Sequence, residues 1–392
     1  MKTVYLDHAA ATPVRKEVLE AMLPYFSDHF ANPSSVYDLG FKIKEVVEEQ
    51  REKVGALIGA GKDQLVFVSS GAEANNLAIK GMVLAGRKKG GKHVVVSAIE
   101  HHSVLNSARF VERFLDTEVT FLPVNQYGLV EPERLANAIS PETVLVSIMH
   151  GNNEVGTIQP IAELAAVCHA KGVPIHSDAV ATVGSVPVNV QALDVDLLTL
   201  SGPALGGPKG TGVLYFRDKT RLVPLIHGGI QENGRRAGTE NIPGIVGFGK
   251  AAELARLELQ QRAGHTRALR DLLVSGTKGG ISDIILTGHP ENRLPGHASF
   301  CFEAIEGEAL LFMLSRDGIY ASTGSACASK ALKTSPVLVA LGLPPDVAQG
   351  SVVFTLSDSN TAEDIHYVLD KLPPAVAKLR SFSPVWRKKM AA

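Results

Sequence analysis

Between residues 64 and 218, short runs rich in valine, isoleucine and leucine alternate with stretches of helical spacing. This alternation restricts the fold more than any other feature of the chain. The runs are QLVFVSS (64–70), KHVVVSAIE (92–100), TEVTFLPV (117–124), TVLVSIMH (143–150), VPIHSDA (173–179), DLLTLSG (196–202) and GVLYFRD (212–218). Between most of them lie 10–15 residues with helical periodicity, as in Ile161, Leu164, Ala165, Val167 and Cys168. Strands that are apolar throughout must be covered on both faces. The pattern therefore predicts an α/β fold with a mainly parallel seven-stranded sheet and helices on both sides. Residues 38–58 precede it as an amphipathic helix, apolar at 43, 46, 47, 54, 57 and 58.

After about residue 255 the character changes. ELARLELQQRAGHTRALRDLLVSG reads as a long charged helix leading away from the sheet. Beyond it, strands (HASFCFE, SVVFTLS) mix with helices (GEALLFMLSRDG, TAEDIHYVLDKLPPAVAKLR) in α+β fashion. The expected organisation is a large domain at 16–255 and a small α+β domain built from 1–15 and 256–392, with YLDHAAATP packed near the latter.

Composition narrows the function by exclusion. A formal net charge of −1 offers no electrostatic reason to expect nucleic acid or an acidic membrane surface as partner. No apolar run approaches the ~18 residues of a membrane span, and MKTVYLDHAAATPV lacks the layout of a secretion signal. The three cysteines form no CxxC pair and no disulfide framework, so a cytoplasmic protein with free thiols is expected. Cys168 and Cys301 sit in apolar periodic runs and read as core. Cys327 lies in ASTGSACASK, whose small residues suit an exposed loop, where a thiol can carry sulfur or ligate a soft metal.

In a parallel sheet, ligands bind beyond the carboxyl ends of the strands. Here those ends deliver Gly71 and Ala72 at a helix start, His101 and His102, then Asn152, Asn153 and Glu154, then Asp178, and finally Ser201. Singly these are ordinary turn, packing or capping residues. Together they suit one ligand with an anionic group for the helix start at Gly71-Ala72, a flat ring for His101, and a cationic ring nitrogen for Asp178. Pyridoxal phosphate (PLP) has these three parts, and its pyridine nitrogen serves as an electron sink when protonated.

With those residues in view, the chain resembles the NifS/IscS group of cysteine desulfurases, which share the fold of PLP-dependent aminotransferases (fold type I). The likeness runs through YLDHAAATPV, NPSSVYDLG, GAEANNLAIKG, EHHSVLN, MHGNNEVGTIQPI, HSDA, GGPKGTGVLYFR, GRRAGTEN, STGSACASK, FTLSDSNTAED and SPVW. The resemblance implies that Gly71, Ala72, Ser201 and, from a neighbouring subunit, Thr239 hold the phosphate. It implies that His101 stacks on the ring, Asp178 pairs with the pyridine nitrogen, and Asn153 meets the ring hydroxyl or substrate. Cys327 is implied as the nucleophile that takes sulfur from L-cysteine, leaving L-alanine and a persulfide. A homodimer and an IscU-type iron–sulfur scaffold as partner follow from the same resemblance. The tail LRSFSPVWRKKM offers Trp386 as a docking anchor beside Arg387, Lys388 and Lys389.

The lysine motif departs from the family's Ser-x-His-Lys-x-x-Gly-Pro-Lys-Gly. The chain reads Ser201-Gly202-Pro203-Ala204-Leu205-Gly206-Gly207-Pro208-Lys209-Gly210. Ala204 stands where the cofactor-bonding lysine belongs and Pro203 where the histidine belongs. Lys209 matches the family's second lysine. Ala181 replaces the expected glutamine, Val353 the substrate-carboxylate arginine, and Ala72 the threonine of the phosphate turn. Several positions have changed together, which points to divergence of the whole site. The expected cofactor is therefore PLP held non-covalently, with unaided desulfurase turnover impaired. The alternative is a non-catalytic homologue that uses Cys327 as sulfur carrier, or as ligand to a [2Fe–2S] cluster shared with the scaffold. An ordinary aminotransferase would also need the missing lysine and has no use for Cys327.

Overall fold

The computed structural model describes residues 2–87, 90–324 and 334–391. Its strands, in chain order, are β1 (Val4–Tyr5), β2 (Leu65–Val68), β3 (His93–Ser97), β4 (Glu118–Leu122), β5 (Thr143–Ser147), β6 (Ile175–Asp178), β7 (Leu197–Ser201), β8 (Gly212–Phe216), β9 (Ile284–Leu286), β10 (His297–Phe302), β11 (Ile319–Tyr320) and β12 (Ser351–Thr355). Strands β2 to β8 form the seven-stranded sheet, in the order β2-β8-β7-β6-β5-β3-β4. Pairing is parallel from β4 through β7, whereas β8 runs antiparallel to both of its neighbours. Each strand is shorter than its apolar run, because the run's last residues turn out of the sheet towards the next helix.

Apolar side chains from both faces of the sheet fill two buried clusters. One includes Val95, Val146, Ile175 and Leu198, the other Val94, Val96, Leu145 and Leu197. Neighbouring residues of a strand thus go to opposite sides, as the pleat demands. A further cluster holds Phe300, Phe302, Phe354, Leu310 and Ile365 around the antiparallel set β12-β10-β9. The N-terminal strand β1 joins this part of the chain by pairing with β11.

One helix, Ile242–Gly280, serves both regions. Its first turns bury Ile245, Phe248 and Ala252 against the large sheet, and its later turns bury Leu269 and Leu273 in the smaller cluster. Its 39 residues span about 58 Å. The helix begins 11 residues before the charged stretch that predicted it, capped by the Asn241 side chain, which accepts from Gly244 N–H at 3.2 Å. Glycines hide this start in the sequence. They are needed because a Cβ at Gly247 would come within 2.6 Å of Met22 Sδ, and one at Gly249 within 2.4 Å of Gln50 Oε1. No helix among the described residues is long and apolar enough to cross a membrane.

The C-terminal helix Pro384–Met390 carries the tail's tryptophan. Trp386 is half-buried, with the Arg380 guanidinium of its own chain 4.1 Å from the ring centroid. The exposed apolar groups of the tail are instead Phe382, Val385 and Met390.

A buried ion pair fixes the segment that follows β8. Arg51, on the helix Asp38–Ile58, forks onto Glu232 with contacts of 2.7 and 2.8 Å, and Glu232 Oε2 also accepts from Phe67 N–H at 2.8 Å. Glu232 and Asn233 adopt positive φ values of 48° and 54°, which costs energy for residues with a Cβ. Removing one partner of a buried pair leaves an unpaired charge out of water. Arg51→Met is therefore expected to lower stability to urea by about 3–5 kcal/mol. Arg51→Met/Glu232→Gln should lie closer to the parent. A single variant within about 1 kcal/mol of the parent would show that this segment is anchored elsewhere.

Candidate active site

Because β3, β5, β6 and β7 are parallel, their carboxyl ends face one edge of the sheet. Strand β2 points the same way, since the two antiparallel steps through β8 restore its direction. All five ends open on one cavity of about 520 Å³. Its walls include Gly71, Ala72, His101, Asn153, Asp178 and Ser201, so six of the sequence candidates come together. Thr239 does not line the cavity and is exposed. Cys327 lies outside the described residues.

The helix Gly71–Arg87 starts directly after β2 and brings its N-terminus to the cavity wall. The first N–H groups of a helix have no intrahelical acceptor and carry partial positive charge, which favours an anion. Ser70 Oγ satisfies one of them by accepting from Glu73 N–H at 3.1 Å. Gly71 is required by space, since a Cβ there would approach Val180 Cγ2 to 2.9 Å and Ser201 Cβ to 3.5 Å.

Asp178 ends β6 out of contact with water, 5% exposed. Its Oδ1 accepts from Val180 N–H at 2.9 Å and its Oδ2 from Asn75 Nδ2 at 2.7 Å. Burial raises its pKa, while these two donors and the neighbouring His101 pull it back. Asn75 also donates to Ser103 Oγ at 2.8 Å. In turn, His101 Nδ1 accepts from the Ser103 hydroxyl at 2.7 Å and from Ser103 N–H at 3.2 Å. A neutral His101 therefore carries its proton on Nε2. Flipping the Asn75 amide would set its oxygen against a carboxylate, so the network fixes its orientation.

Of the other cavity groups, Glu154 belongs to the strand end that the sequence already pointed to, while Asn75, Glu100 and His297 were not singled out. Asn75 lies one helical turn beyond Gly71, which places it on the same face. Glu100 precedes His101, and its Oε1 accepts from Met149 N–H at 2.7 Å. Glu154 follows Asn153, and burial pushes its pKa up to about 7 although Ser335 Oγ donates to it. His297, on β10, donates from Nε2 to the Asn153 carbonyl at 2.9 Å, and burial drives its pKa down to about 3. It is thus a neutral support for Asn153. The signal for both glutamates was adjacency: each is the acidic neighbour of a candidate inside a quoted motif.

The walls fit the ring and phosphate of PLP: a glycine cradle at a helix start, a buried carboxylate held by two donors, and an imidazole beside it. They do not fit a covalent bond to it. Among the described residues no lysine lines the cavity. Ala204 occupies the wall, in the tight turn Gly202–Leu205 after β7. Lys209 stays outside, with Nζ 3.4 Å from the Thr12 carbonyl. Pro203, Ala181 and Val353 also line the cavity, and Val353 gives it an apolar patch where a guanidinium was expected. Cys168 and Cys301 are fully buried, and burial raises both thiols to about 12, as core positions require.

Comparison with known proteins agrees with this architecture. The family described as aminotransferase class-V matches residues 4–368. The chain is 48% identical over 383 residues to a cysteine desulfurase IscS of Dictyoglomus turgidum, covering 98% of this chain and 97% of that protein. It is also 48% identical to the cysteine desulfurase IscS of Methanosarcina thermophila, covering 99% and 95%. A solved structure of a NifS-like protein superposes with a TM-score of 0.90 at 35% identity, covering 96% of this chain and all of the other. The chain therefore belongs to the class-V aminotransferase family, within its IscS/NifS cysteine desulfurase branch.

Proposed function

We propose that this protein is a cysteine desulfurase homologue that holds PLP without a covalent bond, has impaired unaided turnover of L-cysteine, and acts in iron–sulfur assembly through Cys327. The observation that carries the reading is that Gly71, Ala72, His101, Asn153, Asp178 and Ser201 line one cavity with Ala204 in place of an amine. PLP, when bound, supplies an electron sink. The chain's own residues supply the rest. Asp178, whose two oxygens accept from Val180 and Asn75, would pair with the ring nitrogen. His101 covers the ring, and Gly71, Ala72 and Ser201 receive the phosphate. Asn153, supported by His297, contacts the ring hydroxyl or substrate. The proposal includes the division into a large domain at 16–255 and a small domain at 1–15 and 256–392, supported by separate buried clusters along one bridging helix.

A lysine at position 204 would also move the proton from the substrate's Cα, and general acid–base catalysis of this kind is worth about 10²–10⁴-fold. Val353 forfeits a charge-assisted contact to the substrate carboxylate, about 1.5–3 kcal/mol. These losses favour a second reading, in which the chain is a non-catalytic partner of an IscU-type scaffold. Cys327 would then hold sulfur or complete a shared [2Fe–2S] cluster that needs four ligands.

Borohydride reduction of the PLP-loaded protein followed by mass spectrometry should show no pyridoxyl adduct on any lysine, Lys209 included. An adduct would overturn non-covalent binding. In the same preparation, alanine release from cysteine should be very low, and Ala204→Lys alone should not restore it, because Ala181, Pro203 and Val353 remain. Robust release by the parent would show that these changes are tolerated.

The homodimer is supported by the position of Thr239. It stands exposed beyond the anchored Glu232, and Arg236 pairs with Glu73 at 3.0 Å, so this segment is held near the phosphate turn without entering its own cavity. A second copy is the source from which a Thr239 can reach the phosphate. Sedimentation at micromolar concentration should give a dimer, and a monomer would remove Thr239 from the site.

For the scaffold partner, truncation after Ser383 should weaken co-purification with an IscU-type protein by removing Val385, Trp386 and Met390. Cys327→Ser should bind as the parent does but fail to support the cluster. A Cys327→Ser complex that assembles and retains cluster normally would exclude this thiol from the chemistry.

A further inference from the structure

Two buried carboxyl groups line the cavity, and the proposed reading uses only one of them. Glu100 follows β3 and Asp178 ends β6. They are 3% and 5% exposed, and both line the cavity. Their hydrogen bonds differ. Both oxygens of Asp178 accept from a donor, Val180 N–H at 2.9 Å and Asn75 Nδ2 at 2.7 Å. Glu100 has one donor, Met149 N–H at 2.7 Å on Oε1, while its Oε2 is buried without a partner. A buried carboxylate oxygen with no donor forfeits its hydration with nothing in return, whereas a carboxylic acid in the same place does not carry that charge. Two neighbouring carboxyls with unequal donors therefore divide the roles, the better-served one ionised and the other protonated.

Resting on the assignment of this cavity to PLP, we propose that Glu100 is a positioning residue: a carboxylic acid held neutral beside Asp178, so that Asp178 alone carries charge towards the ligand ring. Burial is the main cause that raises Glu100 well above the ordinary carboxyl range. The Met149 N–H opposes it in part, and the Asp178 charge adds to it. The other titratable groups on the cavity wall come from several elements: His101 and His102 from the cap and start of the helix His102–Phe114, Asp178 from β6, Glu154 from the segment after β5, Asp7 and His8 after β1, Arg262 from the helix Ile242–Gly280, His297 from β10 and Asp358 after β12. The helix Gly71–Arg87 contributes the neutral Asn75. An ionised Glu100 would set a second negative charge near Asp178 and raise the Asp178 carboxyl in turn, so that Asp178 would no longer carry the charge alone.

The direct measurement is an infrared difference spectrum of the cofactor-free parent against Glu100→Gln at neutral pH. A carboxylic-acid carbonyl band present in the parent and absent from the variant is expected. A carboxylate band lost instead would overturn the proposal. The second measurement is PLP binding followed by absorbance across pH. Glutamine imitates the neutral acid, so Glu100→Gln should bind within about threefold of the parent, while Asp178→Asn should lose about tenfold or more. The parent's affinity for PLP should also change at alkaline pH as Glu100 ionises, and Glu100→Gln should not show that step. A Glu100→Gln variant that loses as much affinity as Asp178→Asn, or keeps the alkaline step, would overturn the proposal. If the parent binds no PLP at all, the cofactor assignment fails, and the infrared band still decides the protonation of Glu100.

Discussion

A carboxylate removed from water must be repaid by donors, and the hydrogen bond from Asn75 to Asp178 organises the surroundings of this cavity. Asp178 comes from the end of β6 and Asn75 from one turn inside the helix after β2, so the bond ties two distant stretches of chain at the sheet edge. The same Asn75 amide reaches Ser103, and Ser103 orients His101, so one side chain aligns the charge, the helix start and the imidazole together. None of these contacts involves position 204. The cavity can therefore keep its shape with alanine there, because its rigidity comes from pairs between strand ends and not from a bond to a ligand.

That separation explains how much was legible in the sequence. The sheet was, because runs such as VVVS and LLTLS are apolar on both faces and only a covered strand accommodates them. The six cavity residues were, because parallel strands must bring their carboxyl ends to one edge. The antiparallel direction of β8 was not, since an apolar run of five residues reads the same both ways. The start of the helix at Ile242 was not, since Gly244, Gly247 and Gly249 are chosen for close approach to other segments, which blurs helical periodicity. Asn75 and Glu100 were missed for a related reason. Their importance lies in contacts across elements, and no local spacing announces that Asn75 meets a residue 103 positions away.

The loop after β8 shows how a strained segment can be held in one arrangement. Left-handed conformations at Glu232 and Asn233 oppose the fold, and the two-pronged contact with Arg51, together with the Phe67 N–H, offsets them. A second tie, Arg236 to Glu73, connects the loop to the helix whose first turn forms the phosphate cradle. Glu73 is itself gripped by Ser69, so the charge of Arg236 meets a carboxylate already fixed in place. Thr239 follows within three residues, exposed and outside the lining of its own cavity. An exposed threonine on so constrained a loop is better explained by a surface it must present than by freedom to move.

Against the pattern that the family resemblance implies, the residues at 181, 203, 204 and 353 share a chemical direction, in that each would stand in place of a group able to donate or accept a proton or to meet a carboxylate. Alanine and valine at these wall positions leave the cavity more apolar around its mouth, while its floor keeps Asp178, Asn75, Glu100 and His101. Selection for packing alone would not preserve a buried carboxylate with two donors beside a second buried acid, since burying such groups costs more than an apolar floor would. Retaining that floor while the walls lose their reactive groups is what a site would do if it still had to recognise a flat cationic ring but no longer had to turn it over quickly. Under the proposed reading, binding and chemistry come apart along the line between groups that hold a ligand and groups that move its protons.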